Sequence, residues 1–267
     1  MTHSSPVVHV DAARAEGTTR TRTRESIAEE TPVTLAYNGA AHAVMMATPA
    51  DLEDFAVGFS RTEGMISRVD ELSRITVVRY SRGIELQLET SAAIAAQAGT
   101  RSRRLSGRTG CGICGMADVD AVLRELPRVS SPLMATREAV SRAVRELAAR
   151  QPINDETGAV HAAGWAHADG TVELVREDVG RHNALDKLAG ALMRTGIDAS
   201  AGFIVLTSRG SFELVQKAAV IGVALVATVS APTALAVRVA ISAGVSLVGF
   251  ARDDRLTIYC GEDRLAG

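Results

Sequence analysis

Two cysteines, Cys111 and Cys114, are the residues of this sequence best suited to do chemistry. Two residues separate them in a segment that is otherwise mostly glycine, and the arginine-rich residues 101–108 lead into it. Glycine permits backbone conformations that leave sulfur atoms uncovered, and nearby guanidinium groups favour the thiolate form of a cysteine. The pattern therefore predicts a reactive thiolate on a glycine-rich loop.

The same cysteine spacing has other interpretations. A structural zinc site needs four ligands, and the third cysteine, Cys260, stands alone near the C-terminus, so no intrinsic metal is expected. A dithiol oxidoreductase usually places the motif at a helix start within a βαβ unit, whereas this motif follows a charged loop. A persulfide carrier fits better, because it needs an exposed thiol of lowered pKa that meets two partners in turn.

Composition excludes several classes of protein. The chain has 267 residues, of which 46% are hydrophobic and 3% aromatic, and its net charge is −2. These values predict a globular protein that does not bind nucleic acid. The most apolar stretch, residues 218–229, is too short to span a bilayer, and no secretory signal precedes the first strand, so no membrane partner is expected. Three cysteines do not form a disulfide framework, which favours a cytoplasmic location.

Three regions are predicted along the chain. Residues 1–29 lack a hydrophobic period, and we expect a disordered tail. Residues 30–129 predict a smaller α+β region that carries the cysteine loop. Its predicted elements are a hairpin around Asn38-Gly39, a helix capped by Thr48 or Asp51 and ending near Gly64, a strand pair at 74–79 and 84–89, and a helix at 92–97.

Residues 130–267 predict the core domain, because apolar strands there alternate with helical segments. This alternation indicates a mostly parallel sheet with helices on both faces, an α/β fold with a three-layer α/β/α core. The predicted strands are 160–166, 171–176, 203–207, 223–229, 245–250 and 256–259; the predicted helices are one within 133–150, then 183–194, 211–221 and 232–242, the last with Pro232 in its first turn.

Polar residues follow the ends of several of these strands. Strand ends that open into helix N-termini are common anion-binding sites in α/β sheets. Together these loops predict a ligand with several negative charges, with Phe250 and Arg252 facing a ring and a phosphate. The candidate binding residues are Arg181, His182, Ser208, Arg209, Ser211, Ser230, Phe250, Ala251, Arg252, Asp253, Asp254 and Arg255. Neither GxxxxGK[ST] nor GxGxxG is present, so the sequence does not support ATPase or Rossmann interpretations.

An alternative interpretation gives several polar residues of these loops a purely structural role. In it, Asp178 and Asn183 only cap a helix, Asp186 and Lys187 lie in solvent, and Ser211 begins a helix in the ordinary way. His161 is either a site residue or a strand histidine with its hydrogen bonds satisfied. Zinc deaminases use His-x-Glu before Pro-Cys-x-x-Cys, and here Ala163 stands where the glutamate is needed. Deamination therefore lacks its acid–base group.

Seven distinctive motifs follow one another along the chain. They are Pro49–Phe59, Glu63-Gly64, Gly110–Gly115, Val160–Ala163, Glu177–Lys187, Ser211–Lys217 and Ser230–Ala236. On these motifs the chain resembles, over residues 31–263, the FdhD family of sulfur carriers required for formate dehydrogenase activity. One position departs from the family pattern, because Ser208 stands where the family usually has glycine.

The resemblance implies a cytidine-deaminase-like core without the deaminase zinc. It also implies a sulfurtransferase: a cysteine desulfurase passes sulfur to Cys111 as a persulfide, with Cys114 assisting. The recipient is the bis-molybdopterin guanine dinucleotide cofactor of formate dehydrogenase, bound as a substrate. By matching position, Phe250–Arg255 corresponds to the cofactor-binding segment of the family, whose members form homodimers. A cofactor chaperone without a persulfide and a redox dithiol enzyme are the alternatives.

Overall fold

A computed structural model of the chain describes residues 5–105, 126–252 and 255–266, with the backbone alone for residues 101–105. Both motif cysteines, Cys111 and Cys114, lie outside the described residues. The same holds for two of the candidate binding residues, Asp253 and Asp254.

The expectation of a disordered tail is wrong for residues 7–28, which form an antiparallel hairpin. Strand β1 (Val7–Glu16) pairs with β2 (Thr19–Ala28) over its whole length. Branched β-carbons make valine and threonine favourable in extended backbone. Threonine alternates with arginine in β2, so each residue type occupies one face of the strand. Both faces are polar, which is compatible with a strand that is solvated on both sides.

A four-stranded sheet with helices follows, as the predicted N-terminal α+β region. Helix α1 packs its buried Phe55 and Phe59 against one face of this sheet, in a core shared with Leu35 and Leu86. The sheet order is β4-β3-β6-β5. The elements are β3 (Thr31–Tyr37), β4 (Ala40–Ala47), α1 (Leu52–Thr62), β5 (Leu72–Tyr80), β6 (Gly83–Thr90) and α2 (Ala92–Leu105).

The rest of the chain builds a six-stranded sheet with its helices. The elements are β7 (Ala135–Thr136), α3 (Arg137–Ala148), α4 (Pro152–Thr157), β8 (His161–His167), β9 (Val172–Asp178), α5 (Arg181–Thr195), β10 (Gly202–Leu206), α6 (Phe212–Val220), β11 (Leu225–Thr228), α7 (Ala234–Ala243), β12 (Ser246–Arg252), β13 (Arg255–Cys260) and β14 (Leu265–Ala266). The short strands β7 and β14 pair with each other.

The expectation of a mostly parallel sheet is wrong. The order is β13-β12-β11-β10-β8-β9, and only the central strands β10, β11 and β12 run parallel. The outer pairings are antiparallel. Short connections join β8 to β9 and β12 to β13, and a short connection can join only antiparallel neighbours. Parallel pairing is confined to the strands whose connections contain a helix.

Helices cover both faces of this sheet, which confirms the three-layer prediction. On one face, Val140, Ala143 and Leu147 of α3 pack with inward residues of β10–β12. On the other face, α5, α6 and α7 pack with Ile204, Val226 and their neighbours. Helix α7 begins at Ala234 with Thr233 as its N-cap, so Pro232 precedes the helix and does not lie in its first turn.

Helix α1 joins the N-terminal sheet to the core by packing closely on α5. Two glycines permit this approach: a β-carbon at Gly58 would lie 1.6 Å from the Asp186 carbonyl oxygen, and one at Gly190 would lie 1.9 Å from that of Asp54. Any side chain at either position would force the helices apart. No helix among the described residues has the length and apolar character needed to cross a membrane.

Candidate functional site

One edge of the six-stranded sheet collects the loops that the sequence selects. Strands β10, β11 and β12 are parallel, so their carboxyl ends meet at this edge. Strand β8 is antiparallel to both β9 and β10, so the carboxyl end of β9 lies there as well. The loops that carry Arg181, Arg209, Ser230 and Phe250 are therefore neighbours.

Backbone hydrogen bonds link these loops to one another. Gly210 N donates to the Ala231 carbonyl oxygen at 3.2 Å, and Thr233 N donates to the Gly210 carbonyl oxygen at 2.9 Å. Phe250 N donates to the Ser230 carbonyl oxygen at 3.3 Å. The loops after β10 and β11 and the last part of β12 thus form one continuous surface whose backbone positions depend on each other.

A pocket of about 230 Å³ opens on this surface. Its lining residues are Arg181, Arg209, Ser211, Phe212, Glu213 and Thr233. The Nε atom of Arg181 is buried and has no hydrogen-bond partner among the described residues, and buried polar atoms normally have one. Whole small-molecule ligands usually occupy pockets of about 300–1,000 Å³. This pocket therefore suits one anionic part of a larger ligand.

His182 lies behind the pocket, next to the residues that begin α6. Its Nε2 atom is 3.4 Å from Ser211 Oγ and 3.9 Å from Glu213 Oε2. Burial, followed by the positive charges of Lys217 and Arg181, lowers the pKa of His182 to about 3. Burial also lowers the pKa of His161. His182 is consequently neutral at physiological pH, and the positive charge at the pocket comes from the arginines.

Two predicted serines do not line the pocket. Ser208 is buried, and its hydroxyl donates to the Arg209 carbonyl oxygen at 3.1 Å. Ser230 contributes its carbonyl oxygen to the structure of the loop, where it accepts from Thr228 Oγ1 at 2.8 Å. Both serines shape the loops, and neither points into the pocket lining.

The last part of β12 has an unusual backbone conformation, next to a register shift between Gly249 and Arg252. Phe250 has φ of 52°, a region that residues other than glycine rarely adopt, and 40% of its surface is exposed. Strain of this kind concentrates at functional sites. Arg252 pairs with Arg255 across the end of the β12–β13 hairpin. Ala251 is 2% exposed and packs in the core beneath α3, so only its backbone is available to a ligand.

Several polar residues of the Glu177–Lys187 motif are structural. Lys187, which one interpretation placed in solvent, is fully buried, and its Nζ atom lies 2.6 Å from Asp178 Oδ2. Lys187 Nζ also donates to the Thr48 carbonyl oxygen at 2.9 Å, and Thr48 N donates to Asp178 Oδ2 at 3.0 Å. This ion pair joins the core to Thr48, the residue that follows β4 of the N-terminal sheet.

A second buried ion pair involves Asp186, the residue of α5 that precedes Lys187. Asp186, also expected in solvent by that interpretation, is 1% exposed and accepts from Lys217 Nζ at 2.8 Å. Thr62 of α1 donates to Asp186 Oδ1 at 2.6 Å. Asn183 does not cap α5, because its side chain donates to the Met46 carbonyl oxygen at 2.8 Å. The motif therefore holds the N-terminal region in place as well as supplying Arg181 to the pocket.

Sequence reasoning missed three of the lining residues as binding candidates. Phe212 and Thr233 were not selected, and Glu213 was considered only as part of a helix start. At the same sheet edge, Phe212 and Glu213 lie six and seven residues after the end of β10, and Thr233 lies five residues after the end of β11. Position relative to the strand ends would have identified them, whereas residue type alone favoured the arginines and serines.

The described chain resumes far from this pocket after the cysteine segment. Val129 N donates to the carbonyl oxygen of Ala243, the last residue of α7, at 2.8 Å. Helix α7 starts at the pocket edge of the sheet and ends at the opposite edge. The positions of Cys111 and Cys114 relative to the pocket fall outside the described residues.

Comparison with known proteins gives a consistent set of matches. The family model described as FdhD/NarQ family matches residues 28–266. A relative named Sulfur carrier protein FdhD from Bordetella petrii is 51% identical over 241 residues, covering 90% of this chain and 87% of the relative. One of the same name from Xanthomonas axonopodis pv. citri is 53% identical over 242 residues, covering 91% and 86%.

A solved structure shares the fold. It is the crystal structure of a formate dehydrogenase accessory protein from Desulfotalea psychrophila, which superposes with a TM-score of 0.78. The match covers 97% of this chain and 99% of that chain at 22% sequence identity. At this identity the likeness supports the architecture described above.

Proposed function

Because the chain belongs to the FdhD/NarQ family, we propose that it is a sulfur carrier that serves a formate dehydrogenase. The observation that carries this proposal is the arginine-lined pocket at the sheet edge, in a chain whose relatives are named sulfur carriers. The pocket offers a place for an anionic recipient, and the CxxC segment offers the thiol.

The sulfur step assigned to Cys111 is a thiol exchange. The Cys111 thiolate attacks the outer sulfur of a persulfide on a cysteine desulfurase. A new S–S bond forms on Cys111 while the S–S bond of the donor breaks, and the donor cysteine leaves as a thiolate. The arginine-rich residues 101–108 favour the attacking thiolate by their charge. Cys114 assists, either as a relay or as the group that releases the sulfur.

The recipient in this proposal is the bis-molybdopterin guanine dinucleotide cofactor, bound as a substrate. Arg181 and Arg209 hold its phosphate groups, since guanidinium groups form charge-assisted hydrogen bonds with phosphate oxygens. The buried Nε of Arg181 gains the partner that it lacks among the described residues. The neutral His182 and the Ser211 hydroxyl supply hydrogen bonds without adding charge. Family membership is also the basis for proposing a homodimer in the cytoplasm.

Arg209→Gln is expected to weaken the binding of guanosine diphosphate, used as a part of the cofactor, by about tenfold or more. One hydrogen bond to a charged group is worth about 1.5–3 kcal/mol, and Arg209 is exposed at the pocket without an ion-pair partner among the described residues. Titration calorimetry at one fixed salt concentration measures this change. Arg238→Gln on the exposed side of α7 removes the same charge away from the pocket and should leave the affinity unchanged. Equal affinity of Arg209→Gln and the wild type would contradict the assignment.

The pocket also supports a second candidate function, a chaperone that binds the cofactor and carries no sulfur. Its basis is that the described residues alone form an arginine-lined pocket. A redox dithiol enzyme is a third class, which would show a reversible bond between Cys111 and Cys114. Whether Cys111 acquires a sulfur atom separates the sulfur carrier from the other two, and a reversible bond between Cys111 and Cys114 separates the redox enzyme from the chaperone.

A further inference from the structure

The N-terminal hairpin presents a row of arginines that no other part of the described chain uses. Arg20, Arg22 and Arg24 alternate along β2, so they share one face of the hairpin. All three are exposed, and none makes a hydrogen bond or ion pair within the described residues. The α-carbons of successive arginines therefore stand about 7 Å apart along the strand.

The opposing strand leaves this row uncovered. Arg20 faces Ala15 and Arg22 faces Ala13, so the side chains across from the two arginines nearest the turn are single methyl groups, whereas Arg24 faces Asp11. The carboxylates of the hairpin are mostly on its other face, where Glu25 pairs with Arg14 at 2.8 Å. The two faces thus differ in charge, and the arginine face is open.

The outer edge of β2 is also unpaired. Strands β1 and β2 form a two-stranded sheet of their own, and no third strand joins it among the described residues. An unpaired edge exposes alternate backbone N–H and C=O groups, which can accept another extended chain. An added strand would place its alternate side chains next to the arginine row, at the distance of cross-strand pairs.

The hairpin has a defined position relative to the pocket. Its base is closed by a hydrogen bond from Glu29 N to the Pro6 carbonyl oxygen at 2.9 Å, and both strands pack against α4. Helix α4 is held by Glu177, whose carboxylate accepts from Ile153 N at 3.0 Å and Asn154 N at 2.9 Å. Glu177 lies at the end of β9, so the hairpin is anchored at the same sheet edge as the pocket.

We infer that β2 is a docking strand for an extended acidic segment of a partner protein, which adds to its free edge with carboxylates at alternate positions. Backbone hydrogen bonds supply affinity in this mode, and alternate side chains supply specificity. A protein segment fits better than nucleic acid, because the hairpin has no aromatic residue and places Asp11 opposite Arg24. A partner held there would face the pocket edge. This inference does not depend on the sulfur chemistry.

A peptide of about ten residues with alternating aspartate and threonine tests the inference on the full chain by fluorescence polarisation. The variant R20Q/R22Q/R24Q is expected to bind it about tenfold more weakly, since three cross-strand charge pairs are lost. The control R82Q/R137Q/R238Q removes three exposed arginines elsewhere and should bind within about twofold of the wild type. Equal thermal unfolding midpoints of both variants would show that the fold is intact.

Two further probes separate strand addition from simple charge attraction. A peptide of the same composition with all aspartates in one block is expected to bind about tenfold more weakly, because its carboxylates do not match the arginine spacing. Of two alternating peptides N-methylated at odd or at even residues, only one should retain binding, since a strand edge uses every second amide. Equal binding of all these peptides, equal loss in both arginine variants, or tighter binding of an oligothymidylate of the same charge would overturn the inference.

Discussion

Cys111→Ala is expected to reduce the yield of active formate dehydrogenase by about 100-fold or more when it replaces the wild-type carrier. The proposed reaction forms an S–S bond on this residue, and removing a nucleophile eliminates the step that it performs. The measurement is formate oxidation in cells or extracts that contain the variant as their only copy of the carrier. Cys114→Ala is expected to retain part of the activity, because the first bond still forms on Cys111.

Cys260→Ala is the matched control for this experiment. The Cys260 thiol is half-buried, donates to the Val245 carbonyl oxygen at 3.4 Å and has its pKa raised by burial, so it is a poor nucleophile. Its replacement should leave the dehydrogenase yield unchanged. A normal yield with Cys111→Ala would rule out the proposed role of that residue.

Lys187→Met is expected to lower the free energy of unfolding by about 3–5 kcal/mol, the cost of breaking a buried ion pair from one side. The substitution leaves the Asp178 carboxylate without its cation in a site where both side chains are fully buried. It also removes the donor to the Thr48 carbonyl oxygen, which belongs to the N-terminal region. Urea unfolding followed by tryptophan fluorescence measures the change, since Trp165 lies in the core.

An exposed ion pair gives the comparison for Lys187. Arg68 and Asp70 lie 2.9 Å apart with side chains 73% and 65% exposed, and Arg68→Met should leave the free energy of unfolding nearly unchanged. The double variant D178N/K187M removes both charges and is expected to recover part of the stability lost in K187M. A cost below about 1 kcal/mol for K187M would show that this ion pair does not hold the two regions together.

The sheet edge was predictable because it follows from local patterns. Apolar strands separated by helices specify parallel neighbours, and parallel neighbours bring their carboxyl ends to one edge. Arg181, Arg209 and Ser211 were selected on that basis and line one pocket. Phe212 and Thr233 were missed because an aromatic residue and a helix cap have more common structural roles.

The buried ion pairs were not predictable from the sequence alone. Lys187 reads as a solvated helix residue because nothing near it in sequence indicates burial. Its partners include Thr48, which lies 139 positions earlier, and both residues are fully buried in the fold. Long-range contacts of this kind determine which charges of a motif bind a ligand and which hold the fold.

The N-terminal hairpin shows a different limit of structure prediction from the sequence. The Thr-Arg alternation in β2 carries no hydrophobic period, so it favoured disorder. Period two without apolar residues is nevertheless compatible with a strand whose faces are both solvated, once β1 supplies the backbone partners. The alternation that obscured the strand is the feature that aligns its arginines.

The most direct test of the central claim is the mass of Cys111 after incubation of the protein with a cysteine desulfurase and cysteine under non-reducing conditions. Sulfur carriage predicts the addition of one sulfur atom, about 32 Da, on the peptide that contains Cys111, and its loss on treatment with a reducing thiol. The adduct should be absent from Cys111→Ala and unchanged in Cys260→Ala. An unmodified Cys111 in the wild-type protein, with the desulfurase shown to be active, would contradict the account.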